Sequence, residues 1–64
     1  MASHKRRAEL LTEIAKLRRQ QMDSITASVF GGWTAGEEVE HENRSQRLAL
    51  LVIELEALDR AMAL

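Results

Sequence analysis

Apolar residues in the first half of the chain recur at Leu10, Leu11, Ile14, Leu17, Met22, Ile25 and Val29. Their spacing of three and four residues is that of one face of an α-helix. Arg18 and Gln21 fall where the stripe should continue. The simpler expectation is that Arg18 lies at the edge, its stem along apolar surface and its charge in water. The alternative is a polar layer that fixes the register of a helical bundle. The second half carries a more regular series, Leu48, Leu51, Leu55, Leu58 and Met62, spaced alternately by three and four as in a heptad seam. Beside it runs a second stripe: Leu50, Ile53, Ala57, Ala61 and Leu64. One neighbouring helix covers one stripe, so two adjacent stripes predict a helix buried on more than one side.

The breakers place the elements. There is no proline, and all three glycines lie between Gly31 and Gly36. The pattern predicts a helix over about 3–30, a turn at 31–34 and a helix over about 35–63. Gly31 suits the left-handed position just past a helix C-terminus. Thr34 and Glu37 have the S/T-x-x-E spacing of a capping box, and Glu37, Glu38, Glu40 and Glu42 place negative charge at the positive end of the second helix dipole. A connection this short favours an antiparallel helical hairpin. With some 25 residues, each helix would span roughly 37 Å.

A chain of 64 residues allows one domain, 1–64, and buries only about 60% of the surface of its unfolded state. Small scaffolds of this kind usually add disulfides, a metal or a partner chain. The absence of cysteine excludes disulfides and thiolate metal sites, which leaves association. Leaving Leu50, Val52 and Ile53 in water would create a patch that monomers avoid. The expected architecture is therefore an all-α, two-helix hairpin, coiled-coil-like, that dimerises into a four-helix bundle. The expected interface is Leu48, Leu50, Leu51, Ile53, Leu55, Leu58 and Met62.

Charge refines that picture. His4, Lys5, Arg6 and Arg7 sit at the open end, and Asp23, Glu37, Glu38, Glu40 and Glu42 at the turn. Cations in the first turn of a helix oppose its dipole. An antiparallel dimer would answer this by laying the acidic turn of one hairpin against the basic start of the other; otherwise Met1 to Arg7 would fray in water. Local pairs are expected between Glu13 and Lys16, Glu40 and Arg44, and Glu56 and Arg60. The net charge of −1 gives no global pull toward nucleic acid or membrane. The longest apolar run, Leu48 to Ile53, is far short of the about 20 residues a membrane span needs. No apolar stretch follows the N-terminal charges, so a secretory signal is not expected and a cytoplasmic protein is.

Candidate chemistry is sparse. Glu38 and His41 share the Glu-x-x-His spacing with which di-iron bundles bind metal, a further Glu coming from another helix. Glu9 or Glu13 could supply it in a dimer, but His41 should lie level with residues in the low twenties. Acids belong at a helix start in any case, and a solvated acidic turn is the stronger reading. Lys5, Arg6, Arg7, Lys16, Arg18 and Arg19 could contact phosphates, but Glu9 and Glu13 interleave with them and no aromatic stands among them. Nucleic acid is therefore a secondary expectation. No cofactor is expected. Without a Ser-His-acid arrangement, a Cys nucleophile or a phosphate loop, neither is an enzyme. Trp33, at the turn, is expected to fold as a lid over the seam near Phe30, Ile25 or Val39; its alternative role is an exposed partner anchor.

The acidic start of the second helix, with Glu37, Glu38 and Glu40 running into Arg44, Arg47 and the Leu/Ile/Glu pattern up to Met62, resembles the coiled-coil hairpin of DksA/TraR-type transcription factors. The resemblance implies an acidic-tipped hairpin that enters the secondary channel of RNA polymerase. That family's aspartate pair at the tip and its Cys-containing zinc module have no counterpart here. The Glu38–His41 stretch is similar, over those residues, to encapsulated ferritin-like proteins, which are two-helix chains with a carboxylate/His site. Small four-helix dimers of the Rop kind resemble the chain in architecture only. The functional expectation is a non-enzymatic assembly module acting on a second copy, or a small subunit docked on a larger complex. The still-apolar Ala61-Met62-Ala63-Leu64 would suit the latter.

Overall fold

The computed structural model describes the backbone of residues 2–63 and the side chains of residues 4–63. Helix α1 runs Ala2–Gly31 and helix α2 runs Ala35–Ala63, within about a residue of the boundaries the breakers imply. The two form a rod of 48 × 15 × 15 Å. They are antiparallel: Arg6 of α1 meets Glu54 of α2, while Gln21 meets Ser45. Met1 and Leu64, the ends of the N-terminal and second-stripe readings, lie outside the described residues.

The capping box forms. The Glu37 backbone N–H donates to Thr34 Oγ1 at 3.2 Å, and the Thr34 N–H donates to Glu37 Oε1 at 3.4 Å. Two backbone donors of the helix start are thereby satisfied by side chains. The left-handed residue is Gly32, with φ +71°, rather than Gly31. Helix α1 continues one residue further than expected, and the Gly32 N–H closes it on the Ser28 carbonyl at 2.9 Å, the single-bond left-handed cap.

The apolar core occupies the open half of the hairpin. Leu10, Ile14 and Leu51 are buried, and Leu17, Leu48, Val52, Leu55 and Leu58 pack partly buried against them. Each such side chain contributes roughly 1.5–3 kcal/mol when fully withdrawn from water. Ion pairs clasp the helices on the outside: Arg6 with Glu54 at 2.6 Å, Arg7 with Asp59 at 2.7 Å and Arg47 with Glu13 at 3.1 Å. The hydrogen bond that Arg6 donates to Glu54 raises the Arg6 guanidinium above its already high ordinary pKa. These pairs correct two expectations. Glu13 is engaged by Arg47 across the hairpin rather than by Lys16. Arg6 and Arg7 are helical and answered by α2 of the same chain, so neither fraying nor a partner is needed to account for them. The expected pairs Glu40–Arg44 and Glu56–Arg60 form at 4.0 and 3.7 Å.

Candidate interaction surface

The inward seam of α1 keeps its phase through the whole helix. From Leu10, Ile14 and Leu17 the alternating steps of four and three lead to Gln21, Ser24 and Ser28. The inward seam of α2 does the same, from Leu48 back through Arg44 and His41 to Glu37. The interior is thus apolar in the open half and polar toward the turn. Met22, Ile25 and Val29, read from the sequence as a continuation of the buried face, are instead exposed, with Phe30 at 87% exposure beside them.

The polar half is a closed hydrogen-bond layer around Gln21, the one buried polar side chain among the described residues. Gln21 Nε2 donates to the His41 carbonyl at 3.0 Å and to Ser45 Oγ at 2.8 Å. Gln21 Oε1 accepts from Arg44 Nε at 2.7 Å, and Arg44 Nη2 donates to Ser24 Oγ at 2.7 Å. Both amide hydrogens of Gln21 are used, which is what a buried carboxamide requires. The polar layer weighed from sequence exists, but Gln21 makes it within one hairpin, and Arg18 is exposed. Ser24, Arg44 and Ser45 were not singled out as a group. The unbroken heptad phase is the signal for Ser24 and Arg44, and Ser45 stands one residue past Arg44.

Trp33 is half-buried. Its indole Nε1 donates to the Ser24 carbonyl at 2.8 Å, and its ring stacks on His41 at 4.5 Å between centroids, tilted by 33°. It closes the polar layer rather than the apolar seam, and Phe30, Ile25 and Val39 remain exposed. His41 Nδ1 is buried beneath it without a hydrogen-bond partner. Among the described residues no three His, Asp or Glu side chains gather to hold a metal ion; Glu38 and His41 are joined by no third ligand. A depression of about 410 Å³ on α1, between Lys5, Ala8, Glu9 and Thr12, lies along one helix and brings no residues of α2 into it.

The residues expected at a dimer interface divide in two. Leu48, Leu51, Leu55 and Leu58 face α1, and Leu51 is fully spent on the hairpin core. Leu50 and Ile53 stay 62% and 61% exposed, and Met62 is partly exposed near the end of α2. At about 100° per residue, Leu50, Ile53, Ala57 and Ala61 occupy the side of α2 turned away from α1, which Leu51 faces. No helix among the described residues is long and apolar enough to cross a membrane. Set against known protein families, curated proteins and solved structures, the chain matches none.

Proposed function

We propose that the hairpin is a non-enzymatic interaction module that associates with a second copy of itself through the outer face of α2. The observation that carries this is the exposure of Leu50 and Ile53 on the side of α2 that α1 does not reach. The hairpin satisfies its own ion pairs and caps, yet leaves branched apolar side chains in water on a stripe with small Ala57 and Ala61. Small residues there let a second helix approach closely, and burying each of the two larger side chains would contribute roughly 1.5–3 kcal/mol. Sedimentation equilibrium on the whole chain tests the reading. The wild type should fit a dimer, and the Leu50→Glu, Ile53→Glu double variant a monomer of unchanged helix content. A helical wild-type monomer at several hundred micromolar would refute it.

A second reading, docking on a different protein, is favoured by Met22, Ile25, Val29 and Phe30, exposed on α1 near the acidic turn. By helical geometry this stripe lies on another side of the rod from Leu50 and Ile53, so a contact through α2 leaves it uncovered. Under this reading, Val29→Asp leaves sedimentation unchanged and abolishes capture of the partner.

A further inference from the structure

The outer face of α2 is self-complementary about a point between Leu51 and Val52, and from this we infer that two hairpins pair antiparallel across a two-fold axis there, α2 against α2. The inference rests on the self-association proposed above and adds its orientation and register.

The argument starts from the order of residues along the stripe. Outward from the midpoint come Leu50 and Ile53, then Gln46 and Ala57, then Glu42 and Arg60, at nearly equal distances on either side. Turning one helix end for end about the midpoint lays Leu50 on Ile53 of the partner subunit and Gln46 on Ala57 of the partner subunit. Glu42 comes level, within about one residue, with Arg60 of the partner subunit. By helical geometry Glu42 and Arg60 lie on the same edge of the stripe, and an antiparallel two-fold axis keeps like edges together. The two large apolar side chains therefore meet each other, the polar Gln46 meets only a small residue, and Glu42 meets an opposite charge, each contact occurring twice.

Charge also decides between orientations. Between Gln20 and Asn43 the chain carries Asp23, Glu37, Glu38, Glu40 and Glu42 and no Lys or Arg. A parallel pair would bring both acidic turns to the same end, where like charges repel and disfavour the complex. The antiparallel pair sets each acidic helix start beside the end of the partner's α2, near Arg60 of the partner subunit. Arg60 is free to respond: its side chain is 80% exposed and its contact to Glu56 is 3.7 Å. Arg6 and Arg7, by contrast, are held by Glu54 and Asp59 within the hairpin, which moves the complementarity from the start of α1 to Arg60.

Two measurements test this. The described chain contains no cysteine, so Ala35→Cys introduces one attachment point for a spin label at the exposed start of α2. Pulsed dipolar spectroscopy on the dimer should give a label separation of about 50 Å, from the helical rise of 1.5 Å per residue. A separation under about 20 Å would mean parallel helices in contact; it would overturn the inference while leaving self-association standing. The second measurement is charge reversal. Glu42→Arg and Arg60→Glu should each weaken the dimer about fivefold, as expected of pairs at an interface rim. The double variant should return it to within about twofold of wild type. Additive losses in the double variant would overturn the register. A monomeric wild type would overturn both this inference and the reading beneath it.

Discussion

Gln21 and Arg44 meet across the hairpin with 2.7 Å between the carboxamide oxygen and the guanidinium Nε. Each stands where its helix's Leu seam would place another apolar residue, and each is satisfied by the other element. A buried polar group is costly chiefly when left without a partner. Gln21→Ala would remove the carboxamide bonds to Arg44, Ser45 and the His41 carbonyl in one step. Its expected cost is about 2–3 kcal/mol, read as a lowered urea midpoint by circular dichroism. Gln21→Leu combined with Arg44→Leu should recover most of that loss, because apolar replacement of both partners can be near neutral. A double variant as unstable as Gln21→Ala would show that the layer is required for the fold itself.

Most of the fold was legible because its signals are local. The glycine cluster, the Thr34–Glu37 box and the alternating Leu48-to-Met62 series are each contained within a few turns, and they set both helices within about a residue. Near the turn, hydrophobicity and heptad phase diverge for a physical reason. Hydrophobicity leads from Leu17 to Met22, Ile25 and Val29, whereas the heptad phase leads from Leu17 to Gln21 and Ser24. Phase obeys the backbone, and polar side chains can occupy it when a partner helix supplies donors and acceptors. That condition is non-local: nothing near Gln21 in sequence announces Arg44 and Ser45. The same gap explains Arg6 and Arg7, whose partners Glu54 and Asp59 lie at the far end of the chain.

The single tryptophan reports on the polar half of the hairpin. Trp33→Phe keeps an aromatic ring over His41 and loses the bond to the Ser24 carbonyl; a cost of about 1 kcal/mol is expected for that hydrogen bond. Trp33→Ala also uncovers His41 and should cost more, about 2–3 kcal/mol. In the wild type, Trp33 fluorescence and far-ultraviolet dichroism should share one unfolding midpoint. An earlier fluorescence transition would mean that the turn opens independently of the Leu10–Ile14–Leu51 core.

Gly31 and Gly32 are adjacent and should respond to alanine in opposite directions. Gly32 holds φ at +71°, a region in which a Cβ is strained, so Gly32→Ala should destabilise by about 1 kcal/mol. Gly31 closes α1 with helical geometry, and a Cβ there would meet nothing within 4 Å. Gly31→Ala should stabilise by about 0.4–1 kcal/mol, by restricting the unfolded chain and improving helix propensity. Thermal melts of the two variants read the sign directly, and equal shifts would place the left-handed residue elsewhere.

Leu51 and Leu50 are neighbours in sequence with separate duties, and substitution should divide folding from association. Leu51 is packed between Leu10 and Ile14, so Leu51→Ala removes core volume and should cost about 2–5 kcal/mol, enough to unfold a hairpin this small. Leu50 is 62% exposed and is not among the side chains packed on that core. The Leu50→Ala monomer should keep wild-type helicity, with the dimer weakened about tenfold or more for the apolar area no longer buried. Because association stabilises the folded state by mass action, the wild-type melting temperature should rise with protein concentration, whereas that of Leu50→Ala should rise less. A melting temperature independent of concentration in the wild type would mean that Leu50 and Ile53 are borne in water without any copy to cover them.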